Sequence, residues 1–239
     1  MAGRVHIVGA GLAGLSAATG LTRSGIDVAL YEAAAFAGGR CRTFDDPRLG
    51  CRVDNGNHLM LSGNHEALAY ARAIGGDDFL RVSDSASFPF NDLETKTGWT
   101  LKLGDGLFPW WMIRAGQRVP DTAISDYVGG VRLAFARAGA TVAGAIRGRG
   151  QLWHRFWRPL CWAVLNTTPE RGAAALLWRA MSETFLRGGR HCRPVFAPEG
   201  LGTALIDPAI ARLQQHGATL SFQHALRGVT TEGDRLSAL

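Results

Sequence analysis

At 239 residues the chain is long enough for one large domain or two smaller ones, each with a full core. Hydrophobic content of 46% against 19% charged residues describes a globular protein with a slightly apolar surface, and no run approaches the ~18 uninterrupted apolar residues of a membrane span. The net charge of +6 comes with no nucleic-acid-binding motif, so no nucleic acid is expected as a partner; Cys41, Cys51, Cys161 and Cys192 have neither CxxC nor metal-ligand spacing, so no metal is expected and the thiols read as reduced, in a cytoplasmic protein.

Residues 4 to 43 carry most of the functional signal. Val5, Ile7 and Val8 predict a short buried strand, followed by Gly9-Ala10-Gly11-Leu12-Ala13-Gly14 and a helix of small residues. Three glycines at this spacing allow a tight turn, close approach of backbone to a pyrophosphate, and close helix–strand packing. The helix that follows directs its N-terminal N–H groups and the positive end of its dipole at those phosphates. Asp27 to Glu32 predicts the second strand, and Glu32 ends it 18 residues past Gly14. A carboxylate there accepts hydrogen bonds from ribose hydroxyls and repels the 2′-phosphate of NADP. Gly38-Gly39-Arg40 narrows the dinucleotide to FAD. A second glycine pair lets backbone pass close to the cofactor, and Arg40 offers the pyrophosphate a planar, permanently charged fork.

Beyond this unit the chain returns through Arg52-Val53-Asp54 toward the nucleotide, and His58 to Gly75 predicts a helix entering a second region. Trp99, Leu101 and Leu103 alternate as in a strand. From Ile124 to Arg147 a helical pattern carries Val128, Val131, Phe135, Ala138, Val142 and Ile146. A second, from Gly172 to Arg187, carries Ala173, Leu176, Leu177, Ala180, Met181 and Thr184. These stripes are core, or they line an apolar substrate cavity. Asp207-Pro208 predicts a helix start with Asp207 as N-cap, and Gly217 its stop; Ala218 to Phe222, Ala225 to Thr230 and Arg235 to Leu239 predict strands. Residues 109 to 195 hold thirteen arginines and four acids, a net of +9, together with Trp110, Trp111, Trp153, Trp157, Trp162 and Trp178. Such a composition predicts a basic, tryptophan-rich face toward anionic lipid.

The run from Gly9 to Thr43 resembles the N-terminal fingerprint of the flavin amine oxidase and phytoene desaturase superfamily. Three more stretches narrow the likeness: Val53-Asp54-Asn55-Gly56-Asn57-His58, the run from Pro159 through Asn166-Thr167-Thr168-Pro169-Glu170, and Pro198-Glu199-Gly200-Leu201-Gly202. Together they look like the squalene-associated FAD-dependent desaturases, along the whole chain. The resemblance implies an α/β fold: a Rossmann-like FAD-binding domain of the GR2 flavoprotein type, formed by residues 1–65 and 196–239, with an inserted, mainly helical substrate and membrane-facing domain at 66–195. The C-terminal part of that fold is missing, because the family's glycine-rich closing segment has no counterpart after residue 200.

By the same resemblance Gly9, Gly11, Leu12, Ala13 and Gly14 contact the pyrophosphate, and Glu32, with Ala33 beside it, contacts the adenosine ribose. Gly38, Gly39 and Arg40 contact phosphate; Gly56, Asn57 and His58 lie near the flavin end; Leu226 offers backbone groups to the adenine. His58 is either an acid or base, or a histidine packed at a helix start, and Asp54 either orients it or caps that helix. Catalytic residues stay unassigned. The implied activity is reductive dehydroxylation of hydroxysqualene to squalene, in hopanoid and squalene biosynthesis. It takes an apolar isoprenoid substrate, with peripheral contact at the inner face of the cell membrane and other squalene-pathway enzymes as partners. The alternatives are a carotenoid (phytoene-type) desaturase and, in another class, a truncated, non-catalytic nucleotide-binding fragment.

Overall fold

In a computed structural model that describes residues 3–56, 59–114, 116–233 and 235–238, the chain divides into two units. The first comprises Met1–Leu59, His65–Arg81 and Phe196–Leu239, and the second Met60–Asn64 and Val82–Val195. In chain order the first unit contains β1 (Val5–Val8), α1 (Leu12–Arg23), β2 (Val28–Glu32), β3 (Thr43–Asp46), β4 (Cys51–Asp54), α2 (His65–Ile74), α3 (Leu201–Leu205), α4 (Asp207–Gln215) and β5 (Thr219–Phe222).

β2 is the centre of a parallel sheet of order β1-β2-β5, with Ile7 opposite Leu30 on one side and Leu220 opposite Leu30 on the other. Flanked on both edges, its Val28, Ala29 and Leu30 are fully buried. β1 is less buried than its composition predicts: Val8 is 50% exposed, because among the described residues β1 pairs with β2 alone. α1 covers the sheet with Leu15 and Ala18 and packs on α4. Thr19 and Thr22 are buried in α1 too, their hydroxyls donating back to the Leu15 and Ala18 carbonyls at 2.9 and 3.0 Å.

Several boundaries differ from the sequence expectation, for identifiable reasons. The helix predicted from His58 begins at His65; Met60–Leu61 is a short strand paired with Val195 and Pro194. Residues 65–81 belong to the first unit rather than to the inserted one. Tyr70 donates its hydroxyl to the Leu205 carbonyl at 3.0 Å, and a Cβ on Gly76 would collide with the Ala204 carbonyl. Asp207 does not cap α4: α3 runs almost directly into it and Ile206 stands at the cap position. Residues 224–229 form no strand; after β5, Gln223 and His224 donate to the carbonyls of Ala34 and Glu32, and the next strand is Thr230–Glu232, paired with Arg235–Ala238.

The second unit is mainly helical around one long hairpin. Ala86–Asp92 and Thr97–Leu103 pair antiparallel from Ala86↔Leu103 to Asp92↔Thr97, burying Ala86, Leu101 and Leu103. Its core gathers Trp111, Leu133, Trp153, Phe156, Trp157 and Leu177. Three of the six tryptophans expected at a lipid-facing surface are therefore interior, while Trp110 and Trp162 are exposed. Arg155 is buried within the π-helical turn Trp153–Trp157, where its guanidinium bonds Asp121 at 2.8 Å and Asp92 at 3.4 Å. It thereby ties the hairpin end to the loop at 120–121, the kind of pairing a buried cation requires.

The continuous helix predicted from Ile124 to Arg147 is broken. Ile124–Tyr127 is α-helical, Val128–Phe135 is a 3-10 helix, and Val142–Ile146 is a separate α-helix after Gly139, whose φ is +79°. The cause is tertiary. The Trp157 ring lies so close to Gly130 that an added Cβ would stand 2.5 Å from it. At three residues per turn Gly130, Leu133 and Ala136 form the inward row. Leu133 is buried in place of Val128, Val131 and Phe135, which are 65%, 54% and 81% exposed. The second predicted helix is observed at Ala174–Glu183, with Ala174 and Leu177 buried but Leu176 exposed.

Candidate cofactor site

The turn between β1 and α1 is held by its backbone, with the Gly9 N–H on the Tyr31 carbonyl at 2.7 Å and Ala10 fully buried. Gly14 packs so tightly on the turn that a Cβ there would stand 1.9 Å from the Gly9 carbonyl oxygen, which fixes helix against strand. Gly9 has φ +99°, a conformation that L side chains rarely adopt. Gly11 is different: a Cβ added there meets nothing within 4 Å, so the protein's own packing does not demand a glycine. The bare position suits a group from outside the chain approaching the backbone. α1 starts there without a side-chain cap and without an acidic residue in its first turn. Its N-terminal N–H groups and positive dipole end are thus available to an anion near Leu12 and Ala13.

Glu32 closes this arrangement from the end of β2. Its carboxylate accepts from the Ala10 N–H at 2.8 Å and from the Ala34 N–H at 2.8 Å, joining the glycine turn to the segment that begins at Ala33. Gly38 joins from the other side, its N–H donating to the Ala10 carbonyl at 2.8 Å, and Gly39 lies in contact with Gly11. The structure therefore gathers Gly9, Gly11, Leu12, Ala13, Gly14, Glu32, Ala33, Gly38 and Gly39 at one end of the sheet. Arg40 follows directly, exposed and without a side-chain hydrogen bond or ion pair among the described residues. Leu226 is 44% exposed in the loop after β5, outside any strand. Gly56 ends the return strand with φ +118°, its N–H on the Asp54 carbonyl at 2.7 Å, while Asn57 and His58 lie outside the described residues.

A node the sequence reading missed holds three of its motifs together. Asp54 does not cap α2, which begins eleven positions later at His65; its carboxylate accepts from the Thr43 hydroxyl and from the Leu201 N–H at 3.0 Å. The Thr43 hydroxyl oxygen in turn accepts from the Gly202 N–H at 2.7 Å. The start of α3 is thus capped by residues 147 and 159 positions earlier. Gly200 is needed for the approach, since a Cβ there would meet Thr43 at 2.4 Å. Thr43 and Asp54 were both inside quoted motifs, but nothing in their spacing signals that they meet. Cys41, just before the node, is buried, and burial followed by the charge of Asp54 pushes its thiol up to about 11, so it is an inert packing group.

A cavity of about 440 Å³ opens beside the node, lined among others by Phe36, Arg42, Arg52, Asp207 and Phe222. It is separate from the glycine turn, for none of Gly9, Gly11, Gly14 or Glu32 lines it. Its arginines are already engaged: Arg42 lies 3.8 Å over the Phe36 ring and Arg52 donates to the Thr203 hydroxyl at 3.1 Å. No cluster of three or more metal-ligating side chains occurs among the described residues. No helix in them is long and apolar enough to cross a membrane.

Residues 12–239 match the family described as flavin containing amine oxidoreductase, and the chain belongs to it. A protein of Rhodopseudomonas palustris named hydroxysqualene dehydroxylase is 45% identical over 239 residues, all of this chain and 57% of that relative. The chain thus spans little more than half the length of this curated relative. A zeta-carotene desaturase of Zea mays is 36% identical over 81 residues, which is 34% of this chain and 14% of that protein. Among solved structures, an oxidoreductase from Methanosarcina mazei superposes with a TM-score of 0.69 at 14% identity, covering 99% of this chain and 57% of the other, a likeness of fold. The architecture is that of the family: a Rossmann-like cofactor unit with an inserted second unit.

Proposed function

We propose that this chain binds FAD along the glycine turn, Glu32 and the Gly38-Gly39-Arg40 segment, and that it serves the reductive dehydroxylation of hydroxysqualene to squalene. The observation that carries the reaction is the 45% identity along the whole chain to the Rhodopseudomonas protein of that name. The observation that supports the cofactor is the bare Gly11 beside a helix start that has neither a side-chain cap nor an acid in its first turn, the setting a diphosphate takes.

Bound and fully reduced, FAD would supply a hydride together with a proton, so that the hydroxyl would be replaced by hydrogen and would leave as water. The chain's own residues bind and orient. Gly9 to Gly14 and the first turn of α1 hold phosphate, Glu32 turns its carboxylate to ribose hydroxyls, and Arg40 offsets phosphate charge. To Gly56, Asn57 and His58 we assign contact with the flavin end of the cofactor, and to Leu226 contact with the adenine. We further propose work at the inner face of the cell membrane, where such a substrate is stored, beside other squalene-pathway enzymes. The carotenoid-desaturase reading is weaker, since a probable zeta-carotene desaturase of Synechococcus elongatus aligns over 95% of the chain at only 24% identity and the maize relative over 34% of it.

The test uses the 239-residue chain and a chimera extended with the remaining sequence of the Rhodopseudomonas relative. Both should purify yellow with bound FAD. The chimera, given reduced flavin, should convert hydroxysqualene to squalene and leave phytoene untouched. Desaturated phytoene with hydroxysqualene recovered intact would transfer the assignment to the desaturases. A colourless chain would make it a non-catalytic fragment.

A further inference from the structure

The break in the predicted helix leaves a surface that the cofactor reading does not use. In the 3-10 helix Val128–Phe135, residues three apart stack in rows. One row is inward, through Gly130 and Leu133. The second carries Val128 and Val131, and the third carries Arg132 and Phe135. Phe135 is 81% exposed, on an element whose other side is fully packed. The two outward rows border a depression of about 650 Å³ that Arg137 and Arg147 also line. No acidic residue lines it, and Arg132, Arg137 and Arg147 make no ion pair among the described residues. The acids packed nearest in sequence are occupied elsewhere: Asp126 accepts from the Ala123 N–H and Asp121 from Arg155.

We propose that residues 124–147 form a docking surface for an anionic lipid bilayer, with Val128, Val131 and Phe135 entering the headgroup–acyl boundary and Arg132, Arg137 and Arg147 on lipid phosphates. Three unpaired guanidinium groups around bare aliphatic and aromatic side chains complement a surface that is negative outside and apolar beneath. Arginine suits that boundary, because its stem lies along apolar surface while its head stays with phosphate. The lipid-facing groups are thus valines, a phenylalanine and arginines rather than the buried Trp111, Trp153 and Trp157. The surface rests on the membrane location proposed above but not on the flavin reaction, so loss of vesicle binding and loss of bound FAD are separate failures.

The FAD-loaded full chain is sedimented with phosphatidylglycerol–phosphatidylcholine vesicles and with pure phosphatidylcholine vesicles. It should bind the first, bind the second less, and release at about 1 M salt, where screening acts within ~3 Å. R132Q/R137Q should bind the anionic vesicles about thirtyfold less, and F135S about tenfold less or below. The charge-matched R23Q/R48Q should stay within about twofold of the parent. Circular dichroism checks that the variants keep their fold, and the absorbance of bound flavin reads the cofactor site independently. Binding by R132Q/R137Q equal to that of R23Q/R48Q overturns the proposal, as does undiminished binding by F135S. Should F135S fold poorly, V131S reads the same surface. Self-association of the parent that F135S abolishes, with vesicle binding unchanged, would make the face a contact between two copies and also overturn it.

Discussion

In the first unit the decisive groups are backbone amides, carbonyls and the absence of Cβ atoms: Gly14 on the Gly9 carbonyl, Glu32 on two N–H groups, Thr43 and Asp54 on the start of α3. In the second unit the weight rests on large side chains, with Trp153, Phe156 and Trp157 in one core and the buried Arg155 bonded to Asp92 and Asp121. A site that holds a cofactor through its backbone tolerates almost no added volume, whereas a packed side-chain core can shift to absorb some. All seven tryptophans, Trp99 to Trp178, lie in the second unit, so indole fluorescence reports on that unit while flavin binding reports on the first.

The strongest way to break this contrast is Gly14→Val. With Gly9 in the way, the turn must open, and FAD affinity should fall by roughly a hundredfold or more, about 3 kcal/mol, while the tryptophan emission of the second unit stays as it was. An equal disturbance of the emission, or FAD bound as before, would remove the distinction. Arg155→Met asks the converse question. It should lower the unfolding midpoint read by tryptophan, at a cost of about 2–3 kcal/mol. That is less than for a fully enclosed pair, since the Asp121 side chain is 73% exposed and only Asp92 is left partly shielded. FAD affinity should stay within about twofold. The smallest effect sharpens the first unit itself: Thr43→Val removes one cap at about 1 kcal/mol and should lower the temperature at which flavin is released, while Thr43→Ser should retain it.

What could be read in advance divides along the same line. The β1–α1–β2 arrangement was legible because its demands are local: three glycines, a short strand and an acid at fixed offsets. The strand Thr97–Leu103 was legible for the same reason, its alternation lying within seven residues. The stripe from Ile124 to Arg147 misled because α-helical spacing assumes an α-helix, while the Trp157 ring against Gly130 accompanies a tighter one. The role of Asp54 was hidden because its partner lies far along the chain, and Leu226 was placed on a strand that the hydrogen bonds of Gln223 and His224 leave unbuilt. Sequence periodicity sees one element at a time; these features belong to pairs.

The cap on α3 bears on how the protein is made. Asp54 waits 147 residues for the Leu201 N–H, and β2 waits until Thr219–Phe222 to gain its second neighbour. The ribosome therefore completes the whole of Val82–Val195 before the first unit can close. Contacts so distant are slow to form, because loop-closure entropy is lost before they return any stabilisation. The glycine turn, whose own hydrogen bonds lie within residues 9–38, is translated early, but the sheet it stands on is completed only when Thr219–Phe222 arrives.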